Sequence, residues 1–253
     1  MLKLLYIGNS FSMDILEHSV DIAHDLGISD IKVGDLYYAS CSLKMHLNHA
    51  LGDEAKYTYY VNDGAGWIQE NNVSISAAIK SDDWDIIGIF PGTGDGSVHS
   101  SGESYERLPE LVDYVKKLAR PDVKLIYSMT WLSEKDNPRK ELALYNGDQE
   151  LVMSMISDRI RENVIASGQF WKVVPTGAAV QNARNAPVKI SRDGYHLTLG
   201  MGRYMAALTV IGSITDKDIT TVRWIPAGMS EEERAQAIRF AQKALLDPFD
   251  FRA

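Results

Sequence analysis

The sequence predicts an α/β fold, with a mainly parallel central sheet covered by helices on both faces in a three-layer sandwich. Two observations lead to this prediction. Apolar runs of strand length alternate with helical stripes along most of the chain. The run WDIIGIF (84–90) is apolar throughout, as is typical of a strand buried on both faces. Helices that connect parallel strands must pack on the sheet, and this gives the three layers.

Five strands are expected, each a short apolar run that stops at a turn signal or a change of pattern. The first breaks at Gly8 and the last stops at Pro175. Because sites in open parallel sheets form at the carboxyl ends of strands, the segments that follow these runs are the places to look for chemistry. The expected strands cover residues 2–7, 31–38, 84–90, 123–129 and 171–174.

The expected helices show apolar residues at a spacing of three or four. Gly27 ends the first of them, and a short helical stretch surrounds His46. Ser230 and Glu233 form a capping box at the start of the last helix, which we expect to pack on the domain. The longer helices are expected at residues 15–26, 105–118, 145–160, 201–211 and about 230–246.

Length and composition fit one soluble domain over residues 1–253, with 45% apolar and 24% charged residues. A net charge of -8 without basic clusters argues against nucleic acid and anionic membranes as partners. Cys41 is the single cysteine, so the chain has no internal disulfide and no zinc site of several thiolates. No run is long enough to span a bilayer, and no signal peptide is evident. We expect a cytoplasmic protein; a removed export signal is the alternative.

A serine stands where the first strand passes into the first helix, in Gly8-Asn9-Ser10-Phe11-Ser12. A nucleophile there meets the positive end of the helix and the free N–H groups of its first turn, which suit an attack that produces an oxyanion. The structural alternative is that Ser10 or Ser12 is only the N-cap. Asp14 is expected to be a first-turn charge of the same helix.

A possible general base lies near the C-terminus, in Arg192-Asp193-Gly194-Tyr195-His196. The spacing can bring the Asp193 carboxylate to one imidazole nitrogen of His196 and leave the other nitrogen free to accept a serine proton. Alone, the segment is equally consistent with a surface turn, because Asp-Gly is a common turn signal.

Together the two segments resemble the SGNH (GDSL-like) hydrolase superfamily, whose nucleophile ends the first strand and whose Asp-x-x-His lies near the C-terminus. An α/β-hydrolase shares the order Ser, Asp, His, but its Gly-x-Ser-x-Gly elbow needs a glycine where Ser12 stands. The resemblance narrows to a bacterial SGNH-like family of unknown function. The stretches that carry it are IGNSFSMD, YYASCSL, WDIIGIF, MTWL, PTGAAVQNAR and RDGYHLTLGMGRY.

The resemblance implies a flavodoxin-like sandwich and an esterase, with carbohydrate deacetylation a frequent role among SGNH relatives. It assigns Ser10 as nucleophile, His196 as general base and Asp193 as the residue that orients it. It implies no cofactor or metal, and a small-molecule or saccharide ester as substrate. The alternatives are a glycan-binding pseudoenzyme of the same fold and a lipase or thioesterase.

The resemblance also implies an oxyanion hole of three donors: the nucleophile's N–H, a glycine N–H and an asparagine side chain. Ser40 takes the glycine position in Ala39-Ser40-Cys41. The segment that supplies the third donor is called the third block. Related sequences carry glutamine there, whereas this chain has Phe90-Pro91, which offer no side-chain donor. We expect Thr93 to substitute and complete a hole made with Ser10 and Ser40. The N–H groups of the neighbouring glycines are the alternative.

Four other side chains are candidates for substrate contact. Trp131 follows an expected strand end, and Trp67 is a second ring that could stack on a sugar face. Gln181 and Arg184 are expected in the loop before Asp193. For the tryptophans a place in the core is the alternative, and for Gln181 and Arg184 a role in holding the loop.

A metal site is the less favoured explanation for His46 and His49. They are three residues apart and no third ligand has zinc-protease spacing, so a solvated helix face is expected instead. Cys41 is expected to be a small buried residue beside the site.

Overall fold

The computed structural model describes residues 1–92, 103–137 and 145–251. Its centre is a seven-stranded sheet in the order β4-β3-β2-β1-β5-β6-β7. The segment that contains Ser10 follows β1, the middle strand. The strands are β1 (Leu2–Gly8), β2 (Ile31–Tyr37), β3 (Tyr57–Asn62), β4 (Ile68–Val73), β5 (Ile86–Ile89), β6 (Lys124–Ser128) and β7 (Lys172–Val174).

Five of these strands are parallel, as the apolar runs predict. β1 pairs with β2 on one side and with β5 on the other, and β6 and β7 continue the parallel order. Residues Leu4, Leu5, Tyr6 and Ile7 of β1 are fully buried, because helices cover both faces of the central strands. The prediction of a mainly parallel sheet in an α/β sandwich is confirmed.

The helices form two layers. Helices α1, α2, α8, α9 and α10 pack on one another in one layer, and α3 to α6 pack in the other. A π-helical turn, Arg161–Ile165, continues α7. The helices are α1 (Ser10–Leu16), α2 (Ser19–Asp25), α3 (Leu43–Leu51), α4 (Ile75–Lys80), α5 (Glu103–Glu106), α6 (Leu108–Leu118), α7 (Gln149–Ile160), α8 (Thr176–Arg184), α9 (Met201–Ile214) and α10 (Glu231–Leu246).

A two-stranded hairpin between α3 and α4 was not expected from sequence. β3 pairs antiparallel with β2, and β4 pairs antiparallel with β3 at the edge of the sheet. In β4 every residue except Val73 is exposed, so the segment IQENNV carries no apolar run. An edge strand that is solvated in this way loses the period-two signal on which a sequence prediction depends.

Two further elements differ from expectation. The helix expected at residues 15–26 is divided into α1 and α2, which join at Glu17 and His18. Residues Thr176–Arg184, expected to be a loop, form α8, and its first turn lies close to the end of β6. A Cβ atom at Gly177 would lie 2.1 Å from the Thr130 carbonyl oxygen, so only glycine permits this contact.

The last helix begins as expected. The Ser230 side chain accepts from the Glu233 N–H, and the Glu233 carboxylate accepts from the Ser230 N–H, which completes the capping box. Helix α10 then packs on α8 and α9. Across the described residues, none of the helices combines the length and the apolar character that a membrane crossing requires.

Candidate active site

The turn after β1 presents Ser10 as the first residue of α1. Asn9 has extended backbone angles and its side-chain oxygen accepts from the Phe11 N–H at 3.0 Å, so Asn9 is the N-cap. The alternative that Ser10 or Ser12 caps the helix is therefore wrong. Gly8 must be glycine here, because a Cβ atom would lie 2.3 Å from the Ser12 hydroxyl oxygen. The Ser10 side chain is left to other partners.

Ser10, His196 and Asp193 form a continuous chain of hydrogen bonds. The Ser10 Oγ lies 3.0 Å from His196 Nε2, and His196 Nδ1 lies 2.7 Å from Asp193 Oδ2. The other Asp193 oxygen accepts from the Tyr195 and His196 N–H groups at 3.0 and 2.7 Å. Partial burial opposes ionisation of this carboxyl. The hydrogen bonds, led by that from the His196 side chain, outweigh burial and hold its pKa below the usual range.

The loop that carries His196 is fixed from two sides. Its ends pair across a bridge between Ser191 and Leu197, and the Arg192 N–H donates to the His196 carbonyl at 2.9 Å. At its tip, Gly194 has a φ of 73°, a conformation that favours glycine. The indole N–H of Trp131 donates to the Tyr195 carbonyl at 2.9 Å. These bonds set the position of the imidazole relative to Ser10.

Asp14 contacts the segment next to His196, which the sequence did not reveal. Its carboxylate is fully buried, where a solvated first-turn charge was expected. One oxygen accepts from the Leu197 N–H at 2.8 Å, next to His196, and the other pairs with Arg203 at 2.6 Å. Burial raises its pKa, and the charge of Arg203 is the main opposing effect. Asp14 therefore ties the nucleophile helix to the histidine loop. The sequence signal for this role was its position four residues after Ser10, because residues four apart are neighbours on a helix.

The second oxyanion candidate, Ser40, lies in a tight turn after β2. The Cys41 N–H donates to the Tyr38 carbonyl at 3.2 Å, and Ser40 has a φ of 54°. This is the left-handed region, which a glycine enters without strain and a serine does not. In the described parts of the chain, neither the Ser10 N–H nor the Ser40 N–H has an acceptor. Both remain available to an oxyanion.

The third block contributes the Pro91 carbonyl oxygen to the turn that follows β1. The Asn9 side-chain amide donates to the carbonyls of Cys41 and Pro91 at 3.0 and 3.1 Å, which joins the ends of β1, β2 and β5. Phe90 is fully buried and meets the ring of Phe11 edge-on. The Thr93 candidate lies outside the described residues. The role of Asn9 was missed, although asparagine before a helix is a common cap signal.

The histidines of α3 are buried, not solvated as expected. His46 Nδ1 lies 2.8 Å from the Tyr57 hydroxyl and 3.3 Å from the Cys41 sulfur, and His49 Nδ1 lies 3.3 Å from the same hydroxyl. Burial, followed by the nearby His49, lowers the pKa of His46 to about 3, so the ring is neutral. Cys41 is fully buried, as expected. The described ranges hold no group of three or more side chains suited to a metal ion.

The two tryptophan candidates lie in different environments. Trp131 has no exposed surface and stacks on Phe11, with ring centroids 3.9 Å apart. Trp131 therefore packs against the segment that contains Ser10 and Phe11. The expectation that it stacks on a sugar is corrected, because its ring has no exposed surface. Trp67 is 36% exposed and lines a cavity beside α1. Of the two, only Trp67 has a surface that a substrate can reach.

Gln181 and Arg184 lie in α8 and not in a loop. Gln181 is buried and its side-chain oxygen has no hydrogen-bond partner among the described residues. The three guanidinium nitrogens of Arg184 are also buried without a described partner, and burial lowers its pKa to about 10. The shielded guanidinium of Arg184 does not face solvent, which argues against the expected contact with substrate, and for Gln181 that contact stays a prediction. The sequence TGAAVQNAR lacks a helix breaker after Gly177, which explains the helix.

A second buried carboxyl lies behind the nucleophile turn. Asp35 Oδ1 and the Asn9 carbonyl oxygen both lie 2.7 Å from the Ser12 hydroxyl, which has one proton to donate. Both contacts are satisfied when Asp35 is protonated and donates to Ser12, while Ser12 donates to Asn9. Burial raises the pKa of Asp35 to about 7, which agrees with this arrangement.

Comparison with protein families shows which family the chain belongs to. Residues 3–244 match the family described as "Domain of unknown function (DUF4886)". The chain belongs to this family. A DUF4886 family protein from Bacteroides uniformis has a solved structure that is 28% identical, with a TM-score of 0.91 over 98% of this chain and 96% of that one. A search of curated protein sequences finds no significant match.

More distant solved structures share the fold. A member of the lipolytic G-D-S-L family from Veillonella parvula is 12% identical, with a TM-score of 0.54 over 84% of this chain and 97% of that one. A catalytic mutant of Axe2, an acetylxylan esterase from Geobacillus stearothermophilus, is 13% identical, with a TM-score of 0.52 over 89% and 97%. The DUF4886 chain therefore has the fold of the SGNH hydrolases, and the resemblance inferred from sequence is confirmed.

Proposed function

We propose that this DUF4886 protein is a serine esterase that deacetylates a carbohydrate or a similar small ester. One observation carries the proposal: Ser10, His196 and Asp193 form a hydrogen-bonded chain of 3.0 and 2.7 Å. A nucleophile, a base within reach and a carboxylate that orients the base are the parts that acyl transfer requires. The SGNH fold supports the proposal, because hydrolases of esters share it.

In the acylation step, the Ser10 oxygen attacks the ester carbonyl carbon while His196 Nε2 accepts the serine proton. The N–H groups of Ser10 and Ser40 stabilise the negative charge that forms on the carbonyl oxygen. The carbon–oxygen bond to the alcohol then breaks, and His196 returns the proton to the departing oxygen. Asp193 holds Nδ1–H, so that Nε2 is the nitrogen that exchanges protons.

In the deacylation step, a water molecule attacks the acyl-enzyme. His196 accepts a proton from this water and donates it to the Ser10 oxygen as the acyl bond breaks. The acid is released and the free serine is restored. Across the two steps the proton moves between serine, histidine, water and alcohol.

The proposed choice of substrate is an acetyl ester of a sugar. It rests on the SGNH resemblance and on the described function of the Geobacillus protein, an acetylxylan esterase with the same fold. The charged surface agrees with a neutral substrate, because a net charge of -8 disfavours polyanions.

The proposal is tested by measuring acetate release from ethyl acetate and from acetylated xylooligosaccharides. Wild type should release acetate from both, and Ser10→Ala should abolish turnover while its circular dichroism spectrum stays unchanged. Release of acetate by correctly folded Ser10→Ala at the wild-type rate would contradict the assignment of the nucleophile. Failure of the wild-type protein to release acetate from either ester would contradict deacetylation.

A further inference from the structure

A cavity of about 200 Å³ lies between the nucleophile helix and the unexpected hairpin. Met13 and Leu16 of α1 form one wall, and Tyr60 of β3 and Trp67, which precedes β4, form the other. We call it the hairpin cavity. An apolar cavity of roughly 150 Å³ is large enough to admit benzene, so the hairpin cavity has room for one six-membered ring.

The hairpin cavity opens along the same strip of α1 that carries the nucleophile. Ser10, Met13 and Glu17 are the partly accessible residues between positions 10 and 17, and the intervening residues are buried. Residues three or four apart lie on one helix face, and the rise of 1.5 Å per residue places Met13 about 4.5 Å beyond Ser10 along the axis. Met13 and Glu17 both line the cavity. An occupant would therefore lie next to an ester bound at Ser10.

Aromatic rings continue from the sheet edge into this cavity. Tyr60 pairs with Asp35 in the register of β3 and β2, and its ring meets that of Tyr37 edge-on at 6.2 Å. Trp67 lines the cavity with part of its surface exposed, and its indole N–H donates to the Glu17 carbonyl at 3.4 Å. A sugar ring has one apolar face of C–H groups and a rim of hydroxyls, so an aromatic wall with few polar groups is the environment that fits it.

The charges at the hairpin cavity favour a neutral ring. Asp35 lies in its lining, and Glu17 is a second carboxyl group there. Among the described residues that line it, Arg203 is the one cation, and it already pairs with Asp14 and Glu17. An anionic sugar would find no unpaired cation among these described residues and would meet two acidic side chains.

The same residues indicate which part of the ester the cavity receives. Arg203, in its wall, is bound to Asp14, and Asp14 accepts from the Leu197 N–H beside His196. The wall of the cavity is thus bonded to the histidine loop through Arg203 and Asp14. His196 must protonate the departing alcohol oxygen, so the alcohol leaves on the histidine's side and the acyl group points away from it.

We propose that the hairpin cavity is the subsite for the leaving alcohol and that it holds a neutral sugar ring against Trp67. The proposal rests on the esterase function above and narrows its substrate to esters of neutral saccharides. The acetyl group needs no pocket of this size, whereas the sugar does. Trp67 is then a specificity-determining residue that acts on substrate binding and not on the chemical step.

The test compares Trp67→Ala with Trp171→Ala, a tryptophan of similar exposure next to β7 at the other edge of the sheet. Trp67→Ala should raise KM for acetylated xylooligosaccharides by about tenfold with kcat unchanged. Both constants for ethyl acetate should stay at wild-type values, because its alcohol is too small to fill the cavity. Trp171→Ala should behave as wild type on both esters.

Calorimetric binding separates this proposal from the proposed function. Unacetylated xylooligosaccharide should bind Ser10→Ala, and adding Trp67→Ala should weaken that binding by a similar factor, whatever the turnover of the wild-type protein. Equal binding with and without Trp67 would overturn the subsite even if the protein is an esterase. A rise in KM for ethyl hexanoate, without one for the saccharide ester, would also overturn it, because the cavity would then hold the acyl group.

Discussion

Ser40 carries backbone strain at a position where we propose an oxyanion-hole donor. Its φ of 54° lies in the region that a side chain disfavours by roughly 1–2 kcal/mol, part of which glycine gives back through its greater freedom when unfolded. Ser40→Gly should therefore raise the free energy of unfolding by about 0.5–1 kcal/mol. It should also retain esterase activity, because the N–H is kept. Urea unfolding measures the first expectation and acetate release the second.

Ser40→Ala is the matched control for this substitution, since it removes the hydroxyl and keeps the Cβ atom. Its stability should stay close to that of wild type. If alanine stabilises as much as glycine does, the backbone conformation is not the source of the strain. A loss of activity in Ser40→Gly with normal folding would indicate that the serine side chain has a role of its own.

Replacing Asp193 tests whether its carboxylate orients the His196 ring. Its Oδ1 accepts two backbone N–H groups, so in Asp193→Asn the amide oxygen should stay there and the amide nitrogen should face His196 Nδ1. His196 Nδ1 then accepts from this amide, so the ring proton lies on Nε2, and Nε2 has no lone pair to accept the Ser10 proton. Turnover should fall by up to about 10⁴-fold, while His196→Ala should be worse. Acetate release measures both variants, and an equal, complete loss in two folded variants would contradict this order.

Asp35 should make stability depend on pH. Burial raises its folded-state pKa from 3.8 to about 7, so the folded protein holds a proton that the unfolded chain has lost. This contribution to stability is complete below about pH 4 and is lost as the pH rises through about 7. Asp35→Asn stays neutral and avoids the loss. The free energy of unfolding of Asp35→Asn, taken relative to wild type, should therefore rise between pH 4 and pH 8 by an amount on the order of 4 kcal/mol.

The measurement is urea unfolding of both proteins at pH 4 and pH 8, compared as the difference between variant and wild type. Taking the difference removes the other titrating groups, which the two proteins share. The introduced amide nitrogen can donate to the Ser12 oxygen as the protonated carboxyl does, so Ser12 keeps both contacts. A difference that is the same at both pH values would show that Asp35 is ionised in the folded protein.

At the scale of elements, the buried Asp14 carboxylate of α1 pairs with Arg192 of the histidine loop at 3.5 Å and with Arg203 of α9 at 2.6 Å. Asp14→Asn can still accept from the Leu197 N–H, but it leaves Arg203 without its buried anion. Breaking a buried pair typically lowers the free energy of unfolding by about 3–5 kcal/mol. We expect a loss of this size in urea unfolding, together with a lower kcat as His196 loses its fixed position.

The control for Asp14 is Glu110→Ala on α6, which breaks an exposed pair with Arg107. Its unfolding midpoint should hardly change, because water and salt screen exposed charges. If Asp14→Asn is as harmless as Glu110→Ala, the ion pair does not join the two elements. A loss of stability without any change in kcat would limit Asp14 to a structural role.

The elements that sequence predicted are those with a one-sided or continuous apolar pattern. β1 and β5 are buried on both faces, and α10 has a complete capping box, so local signals agree with the fold. The hairpin and α8 were missed for opposite reasons. β4 is almost wholly exposed, and α8 is buried all round, so neither shows the periodicity of a half-buried element.

At the scale of the whole molecule, the sheet order brings distant segments together. β1 lies at the centre between β2 and β5, so their three carboxyl ends meet, and the Asn9 side chain joins them. This is why the nucleophile, Ser40 and the third block could be predicted to be neighbours. The positions of Trp131, Gln181 and Arg184 depend on packing between helices and loops, which strand order does not determine.

The hairpin cavity belongs to the same scale. It exists because β3 and β4 extend the sheet beyond the edge of α1 and carry Trp67 back over the helix. No local motif in the sequence marks it. Its distance from Ser10 follows from helix geometry once α1 is known. The proposed sugar subsite therefore depends on how the hairpin and α1 pack together, not on a local motif.

The most direct test of the central claim is covalent labelling of the nucleophile. A fluorophosphonate probe should modify the wild-type protein once, and mass spectrometry of the peptides should place the adduct on Ser10. His196→Ala should slow labelling strongly because the base is lost, and Ser12→Ala should still be labelled at Ser10. An adduct on another serine, or no adduct on a folded wild-type protein, would contradict the account.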